Sequence, residues 1–308
     1  MSKQQRWLPY AGLAALGLIW GASFLFIKVA VRDLSPEVLV AGRIASAAAT
    51  LALMCALGGR NPFDQQTRKR LPTFAVLAVV YAVLPWTLIS WGEQYIPSGL
   101  TSILNATTPL FTALLAFAGP QSEKPHALNL GGIAVGFAGT LILIVPTLSH
   151  GLSGSLLGAI AVLGASAAYA VSYIIQRRRL AGFDGTKSAF WQMTLATLIM
   201  LPLAAPTLSS AHPHLKSVAA VLALGVVGSG LALAILYYLL NTIGATRTSA
   251  LNFLPPISAV IYGALLLHEQ VTAQILLGMA VILGGVFLVM KPARTQVREE
   301  KADAVARA

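Results

Sequence analysis

Ten stretches of about 20 residues each, almost free of charge, follow one another along this chain with only short polar breaks between them. A run of 18 or more such residues reads as a spanning helix, because about 20 residues at 1.5 Å rise cross a hydrocarbon core about 30 Å thick. Inside that core each backbone N–H and C=O must find its partner within the protein, which makes the helix the solution for runs of this length. The predicted spans are 8–31, 36–57, 71–93, 97–118, 127–147, 152–176, 186–206, 217–241, 246–267 and 271–290. Only 10% of the residues are charged, against roughly 25% in a soluble domain, so a water-soluble fold would expose large apolar patches. The expected fold class is an all-α membrane protein of ten transmembrane helices.

The charges that remain are clustered and mostly basic, and the formal net charge is +11. With the N-terminus inside, the inner segments hold Arg68-Lys69-Arg70, Arg177-Arg178-Arg179 and most other Lys and Arg, while the outer segments hold only Arg32 and Lys216. Positive residues accumulate on the cytoplasmic side, so both termini are expected there, which requires an even number of spans. No aromatic-plus-basic module for nucleic acid is present. The single cysteine, Cys55, has no internal disulfide partner and no metal-ligand spacing. The apolar stretch after Lys3 and Arg6 is too long for a signal-peptide core and reads as the first span. Patterns such as HExxH, GxSxG and a phosphate loop are missing, so neither an enzyme nor a cofactor is expected.

The chain repeats itself. Thr101, Ser102, Leu104, Asn105 and Pro109 match Thr248, Ser249, Leu251, Asn252 and Pro256 at one fixed offset. After a one-residue shift Glu123 matches Glu269, Gly132 matches Gly278, and Ala138-Gly139 matches Gly284-Gly285. The predicted units are therefore 8–147 and 152–290, each of five helices, with a charged tail over 291–308. Five is odd, so the second unit enters the membrane from the opposite side. Inverted repeats of this kind recur in transporters, where the solute binds near the midplane between the halves. A channel or a purely structural bundle is the alternative.

Ten spans in two inverted fives, Trp20-Gly21-Ala22-Ser23 in the first helix, Arg43 early in the second, and paired Asn-Pro helices followed by Glu123 and Glu269 resemble the drug/metabolite transporter superfamily, and within it the EamA-type exporters. The chain looks most like the YddG-type exporters of aromatic and other neutral amino acids. The resemblance spans about residues 10 to 290. It implies a basket of ten helices around a central cavity, and export or exchange of small metabolites across a bacterial inner membrane. Amphipathic drugs, purines and other metabolites are the alternative solutes. Membrane lipid is the other expected partner, and a monomer is the expected form, with a dimer contact left open.

Several residues fall on candidate cavity faces. In the first helix these are Trp20, Ser23 and Phe24. Tyr81 and Trp86 lie mid-span in the third, with Ser90 and Gln94 nearer its end. Ser102 and Asn105 lie in the fourth, Tyr169 and Tyr173 in the sixth, Tyr237 in the eighth and Asn252 in the ninth. Rings with a few hydroxyls and amides suit neutral or zwitterionic solutes. Each Asn lies four residues before a proline, which leaves the carbonyl at that position without its helical donor, so the amides could satisfy a freed backbone group. Pro109, Pro255 and Pro256 are the candidate hinges. Arg43, about 10 Å into its span at 1.5 Å per residue, reads as a structural pair or a carboxylate site. Lys28 reads as a chain that snorkels to outer water. The glycine face through Gly131, Val135 and Gly139 reads as helix packing. The carboxylates Glu37, Glu93, Glu123 and Glu269 all fall at helix ends or in loops, which predicts flux without obligatory proton coupling.

Overall fold

The computed structural model describes residues 3–117, 127–148, 154–209 and 211–291. Glu123, one partner of the matched Glu pair, lies outside them. Ten helices are long and apolar enough to cross a membrane: α1 (Trp7–Ala30), α2 (Pro36–Leu57), α3 (Leu71–Gly92), α4 (Ser98–Phe117), α5 (Ala127–Pro146), α6 (Gly154–Arg179), α7 (Gly185–Leu208), α8 (Leu215–Leu240), α9 (Ser249–Leu266) and α10 (Ala273–Met290). Their ends differ from the predicted spans by three residues or fewer.

The starts of the helices follow from local sequence. Ser35 accepts from the N–H of Val38 and Pro36 takes the first helical position of α2, where its missing N–H costs nothing. Asp184 accepts from the N–H groups of Thr186 and Lys187 at the start of α7, and Thr272 from that of Ile275 at the start of α10. These bonds satisfy donors that the first turn of a helix leaves free.

Packing between the halves obeys a pseudo-two-fold relation. Helix α5 packs on α10 and α2 on α7, each with its own counterpart; α1 packs on α9 as α6 does on α4; α3 packs on α6 as α8 does on α1. A fold of two inverted five-helix repeats pairs its helices in this way. The α5–α10 contact lies at the periphery and is close enough that a Cβ on Gly285 would lie 2.4 Å from the backbone N of Gly136. Gly139 lies in this contact, but Gly131 has open space around it and Val135 is exposed. The packed face therefore runs through Gly132, Gly136 and Gly139, one position round the helix from the predicted stripe.

Four helices are interrupted, and the interruptions come in matched pairs. Helix α3 carries a π-helical segment over Ala78–Val83 and α8 one over Ala223–Leu231. The first half of α4 ends at Asn105, and α9 opens with a 3-10 turn over Ser249–Asn252 before its α-helical part. Thus the related helices α3 and α8 are widened, and the related helices α4 and α9 are broken beside the related asparagines.

The two ends of the bundle differ. At one end Arg60 pairs with Asp184 at 3.6 Å, Lys187 with Asp64 at 2.6 Å, and Arg70 donates to the carbonyl of Arg179. At this basic end the contacts join the α2–α3 connection of the first half to the α6–α7 region of the second. At the opposite, Lys28 end, Asp33 in the α1–α2 connection holds the start of α8 by accepting from Ser217 Oγ at 2.5 Å and from the N–H of His214, just before the helix, at 3.2 Å.

Candidate solute cavity

A cavity of about 360 Å³ lies between the two halves. Its wall is built where the helices are irregular. Tyr81 projects from the π segment of α3, and Gly228 and Ser229 come from that of α8. Asn105, Pro109, Asn252, Pro255 and Pro256 come from the breaks in α4 and α9. Segments of π-helix occur disproportionately at functional sites.

Of the residues predicted to face a cavity, Trp20, Ser23, Phe24, Tyr81, Trp86, Ser102, Asn105, Tyr169, Tyr173, Tyr237 and Asn252 all line this one. Ser90 and Gln94 do not. Ile89 takes the wall position, and one step round the helix turns Ser90 into the packed interior, where it is fully buried. Gln94 lies beyond the end of α3 and is exposed. Helices α2 and α7, absent from the predicted wall, contribute Arg43, Ala189 and Gln192. Each contributes only one or two side chains to the wall, which leaves little pattern in the sequence.

The aromatic residues form a connected group. Tyr81 meets Tyr169 edge to face with centroids 5.8 Å apart, and Tyr169 stacks on Tyr173 at 6.2 Å with 15° between the planes. Tyr81 also contacts Trp86 at 6.5 Å. Arg43 completes the group: it is 8% exposed, its guanidinium carbon sits 3.8 Å from the Trp86 ring centroid, and its Nε donates to Ser229 Oγ at 3.2 Å. Ser229 in turn donates to the carbonyl of Leu224 at 2.9 Å, inside the π segment. No other hydrogen bond of the guanidinium is formed among the described residues, so its terminal N–H groups are free on the cavity side.

The two asparagines differ: Asn252 gives its amide to a backbone carbonyl at its helix break, as expected, and Asn105 does not. The carbonyl of Asn105, freed by Pro109, accepts from Thr108 Oγ1 at 2.8 Å; no amide serves it. The Asn105 side-chain oxygen faces Ser166 Oγ at 3.5 Å. Asn252 Nδ2 donates to the carbonyl of Ser249 at 2.8 Å, closing its own 3-10 turn. Both side chains keep polar capacity toward the cavity.

The cavity is closed at one end. Its lining reaches Gln176 and Leu240 toward the basic end, but stops at Ile27 and Ile89, which are 2% and 4% exposed, toward the Lys28 end. Beyond those isoleucines lies a polar closure. Lys28 does not snorkel to water: its ammonium donates to the carbonyl of Glu93 and, at 2.9 Å, to that of Ile96. Glu269 accepts from the N–H groups of Ser98 and Gly99 at 2.8 and 3.1 Å and from Ser98 Oγ at 3.0 Å, placing a carboxylate on the N-terminus of α4 where the helix dipole favours it. Helix α9 ends with His268 in the left-handed region at φ 56 and a bond from the Glu269 N–H to the carbonyl of Gly263. A left-handed residue just past the last turn is a common way to end a helix, and here it turns the chain so that Glu269 reaches α4.

Comparison with known proteins accounts for this architecture. The model of the EamA-like transporter family matches the chain twice, over residues 7–145 and 156–291. The chain is 23% identical over 279 residues to the uncharacterized transporter YoaV of Bacillus subtilis, covering 90% of this chain and 94% of the relative. It is 27% identical over 286 residues to the uncharacterized inner membrane transporter YedA of Escherichia coli, covering 92% and 90%. It is also 27% identical over 288 residues to a probable terminal-alkyne amino-acid exporter of Streptantibioticus cattleyicolor, covering 92% and 93%. A crystal structure with a TM-score of 0.64 and 16% identity, covering 90% of this chain and 95% of its own, has the same fold. The chain belongs to the EamA-like transporter family and is a multi-pass membrane transporter.

Proposed function

We propose that this carrier exports neutral amino acids, aromatic ones among them, by alternating access between its two five-helix halves, units 8–147 and 152–290. The observation that carries the reading is Arg43. Its free N–H groups enter a cavity walled by aromatic and aliphatic side chains with a few hydroxyls and amides, and a guanidinium binds a carboxylate through paired donors. The rings of Tyr81, Trp86 and Tyr169 would take the side chain, while the carbonyls and amide oxygens at the α4 and α9 breaks would take the ammonium. The name of the Streptantibioticus relative, an amino-acid exporter, points the same way. A cationic drug would meet the buried positive charge of Arg43, which counts against that alternative.

In this reading the basic end is cytoplasmic and both termini lie inside, with the tail 291–308 following α10 into the cytoplasm. The structure then corresponds to a carrier open inward and shut outward, with Pro109, Pro255 and Pro256 at the bending points. The test is a competition panel against labelled tryptophan in liposomes holding the purified protein. Competition by neutral amino acids but not by their amides or by decarboxylated analogues supports the proposal. Failure of every amino acid to compete contradicts it.

A further inference from the structure

Glu93 lies at a helix end, as expected, but that end is buried: the residue is 0% exposed, and neither carboxylate oxygen has a hydrogen-bond partner among the described residues. The charged groups that face it come from three directions. Lys28 of α1 is nearest in role, yet its ammonium bonds the main-chain carbonyls of Glu93 and Ile96 rather than the carboxylate. Glu269, from the α9–α10 connection, adds a second carboxylate, already committed to Ser98 and Gly99. Arg43 of α2 acts from farther away and is stacked on Trp86. Helix α6, packed beside the end of α3 through Gly92 and Gly158, brings no titratable group over 154–163.

We propose that Glu93 is a proton-binding site that couples closure of the Lys28 end of the carrier to the uptake of one proton. An ionised carboxylate without donors in a dry interior is costly, and it resolves that cost by taking a proton. Buried ionisable groups in membrane proteins are where proton relays are found. The same closure that buries Glu93 consists of the Lys28 and Glu269 bonds, and opening this end must break them. Water then reaches the carboxylate, and Lys28, released from its two carbonyls, becomes available as its counter-ion. The carboxylic acid loses its proton to water on opening, and the carboxylate regains one from water on closing.

The sign follows. The closed state binds one more proton than the open state, so acid favours closure of the Lys28 end and alkali favours its opening. One proton shifts the ratio of the two states by up to about tenfold per pH unit. Proton-independent flux was expected because the carboxylates lie at helix ends or in loops; Glu93 does lie at a helix end, and its burial there is what this inference adds. The inference rests on the alternating-access reading, but not on the identity of the solute.

The test uses the full chain in lipid nanodiscs with no solute present, the proton being the only ligand. Infrared spectroscopy should find a protonated-carboxyl band at neutral pH that disappears in Glu93→Gln, persists in Glu269→Gln and moves in frequency in Glu93→Asp. Spin labels on Gln94→Cys and Val271→Cys, in a Cys55→Ser background, report the distance across the closure. The short-distance population should fall as pH rises in the parent and stay high at every pH in Glu93→Gln. A band unaffected by either Glu93 substitution, or the same pH response with and without the Glu93 carboxyl, overturns the proposal. If Glu93→Gln does not fold, the Glu93→Asp band shift decides. A failed amino-acid competition would leave these results standing, and a missing band would leave the solute assignment standing.

Discussion

Arg43 lies over the ring of Trp86, its guanidinium carbon 3.8 Å from the ring centroid, while its Nε is fixed by Ser229 in the π segment of α8. The first half of the protein thus supplies the charge and the ring, and the second half orients them. Arg43→Lys keeps the charge but loses the planar stacking surface and the fixed fork of donors. Flux of a carboxylate-bearing solute should fall about 10-fold or more in Arg43→Lys, in line with the strength of charge-assisted bonds, and further in Arg43→Gln. Initial rates in liposomes, set against the amount of reconstituted protein, check this.

Alanine at Trp20, Tyr81 or Asn252 should lower flux while leaving membrane insertion intact, because each side chain meets the cavity. Ser90→Ala and Gln94→Ala, which lie away from the cavity, should leave flux within about twofold of the parent, as substitutions outside special sites commonly do. Unchanged flux in all three cavity variants would remove the cavity assignment.

The α5–α10 contact predicts a stability effect. A Cβ at Gly285 meets the backbone of Gly136 at 2.4 Å, and backbone cannot move aside as a flexible side chain can. Gly285→Ala should therefore destabilise the protein by about 1–3 kcal/mol, the usual cost of overpacking. Gly131→Ala and Gly284→Ala, with open space around them, should be nearly neutral. Thermal unfolding followed by fluorescence in detergent separates the two groups.

Asp64 gives a pH prediction outside the membrane. Its carboxylate accepts from the Lys187 ammonium at 2.6 Å and from the Thr67 N–H at 2.7 Å, and these donors hold its pKa well below the usual carboxylate range. A depressed folded value means that the contact stabilises the protein above the unfolded value, about 3.9, and that the contribution is lost as pH falls through the folded value. Asp64→Asn should lower the unfolding temperature at neutral pH, and its difference from the parent should shrink in acid below about pH 4. A constant difference down to strong acid would contradict the assignment.

Much of this fold could be read from residues alone, for physical reasons that are specific. A lipid-facing helix must be continuously apolar, so the spans stand out. The Asn-Pro repeats Asn105–Pro109 and Asn252–Pro256 mark the breaks in α4 and α9 because proline removes a backbone donor. The π segments around Tyr81 and Ser229 left no comparable mark, since Ala78–Val83 is as apolar as any helical stretch. The register of the α5 glycine face was missed by one position because Gly131 and Gly132 are adjacent and both small. Glu93 was placed at a helix end, where it lies, but its burial left no mark in the sequence, because only the folded arrangement of Lys28, Glu269 and the α3–α4 connection seals that end.

The most direct test of the central account is counterflow. Liposomes loaded with unlabelled tryptophan and diluted into labelled tryptophan should show transient accumulation of label above equilibrium, abolished in Arg43→Gln. A carrier with one alternately exposed site produces that overshoot. Label that equilibrates without an overshoot, or an overshoot unaffected by Arg43→Gln, would contradict alternating access through this cavity.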